Sequence, residues 1–262
     1  MEYGSRTTLH ASVSALLLAA GGWVTSCTSA PVLYEHKLVD LTHAFEDRTA
    51  VGPASPPFLY ERDARRRDDG RWLATGRLEG SEFSGTHIVA PMHRVEGRHG
   101  TDEIPLHQLV GPIRVLDVRS KCRDNPRYAV DVSDLESHER RHGRVPRGAA
   151  VLVRTGWDQF WSVPERYFGL DDAPRHPGLS VRLVQALCDK GVDLVGVDGP
   201  SLEPVDGDDG AVARALGARD TPGLCNLTNL GELPPLGATL IALPMKIERG
   251  AGGPARVVAI VP

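Results

Sequence analysis

Two histidines six residues apart, His87 and His93, are the side chains of residues 82–93 best suited to chemistry. An imidazole can bind a divalent metal or act as a general base near neutral pH. A catalytic Zn²⁺ needs three or four protein ligands, more than the two imidazoles of this run supply. This run therefore favours proton transfer over metal binding.

The other reactive groups are thiols. The chain has four cysteines without metal-type spacing such as C-x-x-C, namely Cys27, Cys122, Cys188 and Cys225. Their spread argues against a structural zinc site and gives no disulfide framework of the kind found in small secreted domains. A cysteine beside a histidine can instead act as a nucleophile, because an imidazolium lowers the pKa of the thiol.

The elements that must position these groups form a strand-rich α/β domain. Short apolar runs between turn residues predict strands at residues 38–43, 113–118, 149–155, 192–198, 238–244 and 255–261. The clearest helix runs from Ser180, a good N-cap, to Lys190, and Gly191 provides the stop. Cys188 falls on its apolar face and is predicted to be a small core residue.

Composition sets the class of protein. A chain of 262 residues with 24% charged residues is typical of a globular protein with one main domain. The net charge is −4 and the basic residues 139–144 are interpreted as a solvated loop, so nucleic acid is not an expected partner.

The N-terminal residues 1–33 are expected to lie outside a catalytic domain at residues 34–262. Residues 11–24 are apolar or small, which fits a signal or membrane anchor and equally a helix packed on the domain or on a partner. We therefore expect an N-terminal apolar helix, with the protein cytoplasmic or associated with a membrane through residues 1–33.

An ordered set of motifs resembles the cyclase family of kynurenine-formamidase-like amidohydrolases. The motifs span roughly residues 36–261 and comprise residues 85–93, 102–106, 109–112, 153–158, 176–180, 195–201, 227–230 and 241–247. The resemblance implies a single swivelling β/β/α domain, in agreement with the predicted strands.

The resemblance also implies where metal ligands would stand. The family's loop reads His-x-Gly-Thr-His-x-Asp-x-Pro-x-His, and here Phe83 and Val89 replace the first His and the Asp while His87 remains. A second cluster in the family pairs a His with a Glu twelve residues later, and the matching positions carry Ala213 and Cys225. We therefore expect neither a bound metal nor another cofactor.

The replacements suggest a thiol-based site. If the family's scaffold is kept, Cys225 and His87 share one cavity, with His93 as a second candidate base and Asp102 as the group that orients the histidine. Two other carboxylates at strand ends are alternatives for that last role, Asp40 and Asp198.

This pattern resembles the Dieckmann cyclases of the cyclase family, which are described as using a Cys-His-Asp triad. The resemblance implies a metal-independent enzyme that takes a polyketide–aminoacyl chain from a carrier-protein thioester and releases a tetramate or pyridone ring, in natural-product and antibiotic biosynthesis. The alternatives are a metal-dependent amidohydrolase of the formamidase or lactonase type and a non-catalytic scaffold. A homo-oligomer is compatible with each.

Overall fold

An eight-stranded mixed sheet forms the centre of the fold in the computed structural model, which describes residues 36–46, 49, 52, 55–169, 175–208 and 210–262. The strand order is β1-β12-β11-β5-β7-β9-β10-β4, and β12 also pairs with β4. That last pairing closes seven strands into a barrel, with β1 added outside β12. The predicted strand-rich α/β fold is confirmed.

The strands and helices have the following bounds. The strands are β1 Lys37–Asp40, β2 Leu59–Arg66, β3 Trp72–Glu79, β4 His87–Val89, β5 Val110–Asp117, β6 Ala129–Val130, β7 Ala150–Arg154, β8 Gly178–Leu179, β9 Leu194–Val197, β10 Gly223–Cys225, β11 Leu236–Pro244 and β12 Gly252–Val261. The α-helices are α1 Leu106–Leu109, α2 Arg119–Asp124, α3 Val132–His142, α4 Pro164–Phe168, α5 Val181–Asp189 and α6 Ala211–Gly217.

Strands β5, β7, β9 and β10 run parallel to one another, and helical segments connect them in sequence. Parallel neighbours need such crossover connections, whereas the antiparallel strands β11 and β12 follow each other directly. Helix α5 forms where it is predicted: Ser180 caps its start by accepting a hydrogen bond from the Leu183 N–H at 3.0 Å. Cys188 is buried in the core, as predicted.

Two hydrophobic clusters separate the faces of β4 and β10. Ile88 and Leu224 belong to the first cluster, which also contains residues of β11 and β12, whereas Cys225 belongs to the second, which contains α5. Side chains alternate between faces along a strand, so His87, Val89 and Cys225 lie on the face opposite Ile88. The alternation thus places the candidate reactive groups together.

A second, two-stranded sheet consists of β2 and β3, which pair over their full length and remain largely exposed. The expected N-terminal helix and Cys27 lie outside the described residues, and the domain boundary near residue 34 stays a prediction. All described residues belong to one unit, Leu33–Pro262. Within them, no helix has the length and apolar character required to cross a membrane.

Candidate active site

The loop that leads into β4 is held by backbone geometry and by Thr86. Gly85 has φ of +62°, and a Cβ there would lie 2.6 Å from the Phe45 ring, so glycine is required on both counts. The Thr86 hydroxyl donates to the Asn226 carbonyl at 2.6 Å and accepts from the His43 N–H at 3.0 Å. The loop is therefore fixed to the residue that follows β10.

His87 and Cys225 are directly opposite each other on the antiparallel strands β4 and β10. Opposite residues of such a pair project from the same face with their Cβ atoms about 4.5–5.5 Å apart. Both side chains are buried, and both line one cavity of about 200 Å³.

This cavity, called here the His87 cavity, collects every position at which the family resemblance places a metal ligand. Its described lining residues are Gly52, Ser55, Phe83, His87, Val89, His93, Arg94, Phe168, Pro200, Ser201, Leu202, Glu203, Gly210, Ala213, Cys225 and Asn226. The Phe83 ring lies edge-on to both imidazoles, with centroid distances of 5.5 Å to His87 and 4.8 Å to His93. The family motif predicts that residues 87, 213 and 225 share one site, and in the structure all three line the same cavity.

His87 is a neutral imidazole with an assigned tautomer. Its Nδ1 lies 2.8 Å from the Gly85 carbonyl, which can only accept, so Nδ1 carries the proton and Nε2 carries the lone pair. Burial lowers the pKa of His87 from 6.5 to about 4, the hydrogen bond to Gly85 raises it, and the charge of His93 lowers it further. At neutral pH this side chain can accept a proton at Nε2.

Asn226 and Tyr167 extend this arrangement. The Asn226 side-chain amide donates to the same Gly85 carbonyl at 2.6 Å, and the Tyr167 hydroxyl donates to Asn226 Oδ1 at 2.8 Å. Asn226 Nδ2 and His87 Nδ1 lie 3.5 Å apart, and because both are donors to Gly85 they do not bond each other. Asn226 adopts φ of +57°, a conformation that Asn tolerates better than most residues.

Cys225 does not have the surroundings of an activated thiol. Burial raises its pKa to about 12, a backbone hydrogen bond with Leu202 opposes the rise, and the charge of Glu203 adds to it. The thiol is therefore neutral at physiological pH. The nucleophilic role predicted for Cys225 remains a prediction that these electrostatics do not favour.

The other predicted site residues divide between the cavity and the outside. His93 ends the 3₁₀ turn Pro91–His93 and lines the cavity. Asp102 is not among the described lining residues: its Oδ1 accepts from the Arg249 N–H at 3.0 Å, so it fixes a neighbouring loop instead of a catalytic histidine. The prediction of Asp102 as the orienting group is corrected accordingly.

The two alternative carboxylates have structural partners as well. Asp40 forms an exposed ion pair with Arg256 at 2.7 Å. Asp198 is fully buried and accepts from the backbone N–H groups of Thr155 and Gly156, at 2.9 Å and 2.7 Å. Asp198 therefore caps the turn after β7, and the orientation of His87 depends on the Gly85 carbonyl.

Sequence reasoning missed Asn226, Tyr167 and Glu203. Asn226 could have been noticed because it directly follows Cys225, one of the replaced ligand positions. The Glu203 carboxylate accepts from the N–H groups of Val212 and Ala213 at 3.0 Å and 2.8 Å, which fixes the start of α6 beside the cavity. Tyr167 belongs to no motif, so no sequence signal pointed to it.

The residues of the His87 cavity do not fit a divalent metal. Across the described part of the chain, no three His, Cys, Asp or Glu side chains are grouped as a metal site requires. In the cavity, the Glu203 carboxylate is engaged by α6 and the Cys225 thiol is protonated, which leaves two imidazoles against the apolar Phe83.

Comparisons with known proteins define the family. The family model described as "Putative cyclase" matches residues 39–204, so the chain belongs to the cyclase family. Kynurenine formamidase from Salinibacter ruber is 34% identical over 223 residues, which cover 84% of this chain and 96% of that protein. Isatin hydrolase from Roseibium aggregatum is 30% identical over 249 residues, covering 87% and 93% respectively.

Solved structures agree on the fold. A crystal structure of an isatin hydrolase bound to the product analogue thioisatinate superposes with a TM-score of 0.81 at 27% identity, covering 87% of this chain and 94% of that one. An isatin hydrolase A from Ralstonia solanacearum gives a TM-score of 0.80 at 29% identity, covering 87% and 93%.

These relatives overturn the predicted Dieckmann cyclase. Their names are those of hydrolases, and nothing links the chain to polyketide, tetramate or antibiotic biosynthesis. The relatives are enzymes, which supports the broader prediction of an enzyme without supporting cyclisation through Cys225. The prediction of a cyclase is wrong because the exchange of metal ligands does not by itself specify the reaction, and the relatives that share the sequence and the fold are hydrolases.

Proposed function

We propose that the protein hydrolyses the C–N bond of a small N-formyl amide or lactam in the His87 cavity. The observation that carries the proposal is the neutral His87, whose proton is held on Nδ1 and whose Nε2 is a base within a cavity. The names kynurenine formamidase and isatin hydrolase, borne by relatives 34% and 30% identical, supply the class of bond.

The reaction that these residues can perform begins with a water molecule. His87 Nε2 accepts a proton from the water as its oxygen attacks the carbonyl carbon. The imidazolium then returns that proton to the amide nitrogen as the C–N bond breaks, which yields a carboxylic acid and an amine. Arg94 lies on the cavity wall and supplies positive charge near the developing oxyanion.

Aromatic side chains on the wall favour a substrate with a ring. Phe83 and Phe168 both line the cavity, and the edge of Phe83 is held against the two imidazoles. Aromatic pairs in offset or edge-to-face contact contribute about 0.5–1.5 kcal/mol beyond area burial. The cavity of about 200 Å³ suits a small ring with a short acyl group at the reacting end of the substrate.

The test is hydrolysis of the N-formyl amide of kynurenine and of isatin by the purified full chain, with product formation followed by absorbance. The expected result is turnover of at least one substrate and a loss of about 100-fold or more in kcat/KM for His87→Gln, because general-base catalysis contributes about 10²–10⁴-fold. His107→Gln is the matched control, since His107 is exposed and lies outside the described cavity lining. Equal rates for His87→Gln and the unchanged protein would contradict the proposal.

Metal dependence is measured in the same assay. A chelating agent is expected to leave the rate unchanged, and elemental analysis is expected to find well under one Zn²⁺ or Mn²⁺ per chain. A stoichiometric metal would show that the donor set of the His87 cavity has been misjudged. Failure to turn over either substrate, together with a well-folded protein, would favour the non-catalytic scaffold.

A further inference from the structure

A second cavity lies apart from the lining of the His87 cavity and is rich in arginine. It has a volume of about 700 Å³ and lies between α2, the turn after β7 and the segment around α4. Its described lining residues are Arg119, Cys122, Arg123, Pro126, Thr155, Gly156, Trp157, Gln159, Phe160, Arg166 and Arg175. The volume falls within the range of about 300–1,000 Å³ usual for small-molecule sites.

The charge of this arginine cleft is unlike that of the whole chain. Four guanidinium groups line it, no carboxylate is among its described lining residues, and the chain carries a net charge of −4. A guanidinium presents a planar fork of N–H donors that matches phosphate and carboxylate oxygens. The cleft therefore concentrates the donors that bind oxyanions.

Two of the arginines are held in place before any ligand arrives. Arg119 is fixed by Asp117, to which its Nη2 donates at 2.7 Å and its Nε at 2.9 Å, and this leaves Nη1 for another acceptor. The Arg166 guanidinium lies 3.8 Å from the centroid of the Phe160 ring, and Arg166 pairs with no carboxylate in the described part of the chain. Side chains fixed in this way lose less conformational entropy when they bind a ligand.

The carboxylates around the cleft are already engaged. Asp117 is shared by Arg119 and Arg154, and Asp124 lies 3.8 Å from Arg123 at the exposed rim. Asp198 lies beneath the floor, where it accepts hydrogen bonds from Thr155 and Gly156. These acids balance part of the positive charge, and they also hold the floor and Arg119 in a fixed geometry.

We propose that the arginine cleft binds a small phosphate-bearing molecule or free phosphate. Phosphate fits better than carboxylate because several guanidinium groups face one space, and a dianion with three or four oxygens can engage more of them than a monoanion with two. This site is separate from the proposed hydrolysis and does not depend on it.

The test is isothermal titration calorimetry of the purified full chain with two probes, inorganic phosphate and phenyl phosphate, in chloride buffers of matched ionic strength. Saturable binding of one phosphate per chain is expected, and Arg166→Gln is expected to weaken it about tenfold or more, in line with the strength of charge-assisted hydrogen bonds. Tighter binding of phenyl phosphate would indicate a phosphate ester as the ligand, and equal binding would indicate free phosphate.

Arg62→Gln is the matched control, because Arg62 is an exposed arginine on β2 and lies outside the cleft. It should bind phosphate as the unchanged chain does. Arg119→Gln loses the pair with Asp117 and can affect folding, so Arg123→Gln, an exposed side chain, provides the second cleft variant. Thermal unfolding checks that each variant is folded.

Three results would overturn the proposal. The first is no saturable heat with either phosphate probe. The second is equal weakening by Arg62→Gln, which would mean nonspecific charge attraction. The third is that a ten-nucleotide single-stranded RNA binds the unchanged chain far more tightly than phosphate does, and also binds the Arg166→Gln variant. That result would mean that the surface binds nucleic acid.

Discussion

The His87 cavity and the arginine cleft differ in the charge state of their main side chains: a neutral imidazole in the first and ionised guanidinium groups in the second. The first is smaller, and its apolar Phe83 and Val89 lie beside a buried histidine that burial keeps neutral. The second is larger, and its guanidinium groups reach solvent while their orientations are fixed by Asp117 and Phe160. The difference shows that burial keeps an imidazole uncharged and able to accept a proton at neutral pH, whereas ion recognition needs charges that stay ionised.

The largest effect that tests this contrast is the pH dependence of stability. The folded pKa of His87, about 4, lies below its unfolded value of 6.5, so the unfolded chain binds more protons between these values. Stability is therefore expected to fall as the pH drops through that window. His87 should contribute a loss of about 2 kcal/mol between pH 7 and pH 5.

Urea unfolding at both pH values measures this loss. In His87→Gln the free energy of unfolding should change less between pH 7 and pH 5, by about the contribution of His87. The variant His107→Gln, altered at an exposed histidine, should show the pH dependence of the unchanged protein. Identical pH dependence in His87→Gln and the unchanged protein would mean that His87 is not the neutral, buried group described above.

A smaller effect is expected from Tyr167→Phe. The substitution removes the hydroxyl that donates to Asn226 Oδ1 and leaves that buried oxygen without its partner, which costs about 1–3 kcal/mol. Because Asn226 and His87 share the Gly85 carbonyl, kcat should fall several-fold with little change in KM. A purely structural role would lower stability and leave kcat unchanged. Phe160→Leu, also an aromatic substitution but on the cleft side, serves as the comparison.

Cys225→Ala should change activity least among the residues of the His87 cavity. A thiol whose pKa is raised to about 12 by burial supplies almost no thiolate at pH 7. We expect kcat/KM within about threefold of the unchanged protein and no labelling of Cys225 by iodoacetamide in the folded state. Complete loss of activity, with rapid labelling, would restore the nucleophilic role predicted from the sequence.

Local patterns in the sequence were sufficient for the regular elements and for part of the site. The cap at Ser180 and the apolar face with Cys188 define α5 from residues close in the chain, and the family register brought Ala213 and Cys225 to His87. The polar neighbours of His138 in the sequence predict a surface position, but the packing of α3 buries it. That interpretation was wrong because neighbours in sequence do not reveal what lies across a helix.

Long-range contacts account for the remaining differences. Asp102 follows the His87 loop closely in sequence, yet its partner is the backbone of Arg249, 147 residues away. The link from Tyr167 to Asn226 spans 59 residues, and the arginines of the cleft come from three separate segments. The Tyr167–Asn226 link and the cleft form because the parallel strands β5, β7, β9 and β10 bring their carboxyl ends to one side of the sheet, which no single stretch of sequence specifies.

The smallest expected effect is that of Arg166→Gln on hydrolysis, and it tests whether the two regions are independent. The cleft and the His87 cavity are neighbours along α4, where Arg166 lines the cleft and Phe168 lines the cavity. Asp198 links them as well, because its carboxylate binds Thr155 and Gly156 and its carbonyl lies 3.5 Å from the Tyr167 hydroxyl. That contact is long for an O–H donor, and Asp198 is fixed by several hydrogen bonds, so loss of one exposed guanidinium should not move Asn226. We expect kcat/KM of Arg166→Gln to stay within about twofold of that of the unchanged protein, with and without phosphate.

The contradicting result would be a hydrolysis rate that depends on phosphate in the unchanged protein and no longer does so in Arg166→Gln. The cleft would then regulate the His87 cavity, because phosphate binding at one site would be coupled to catalysis at the other.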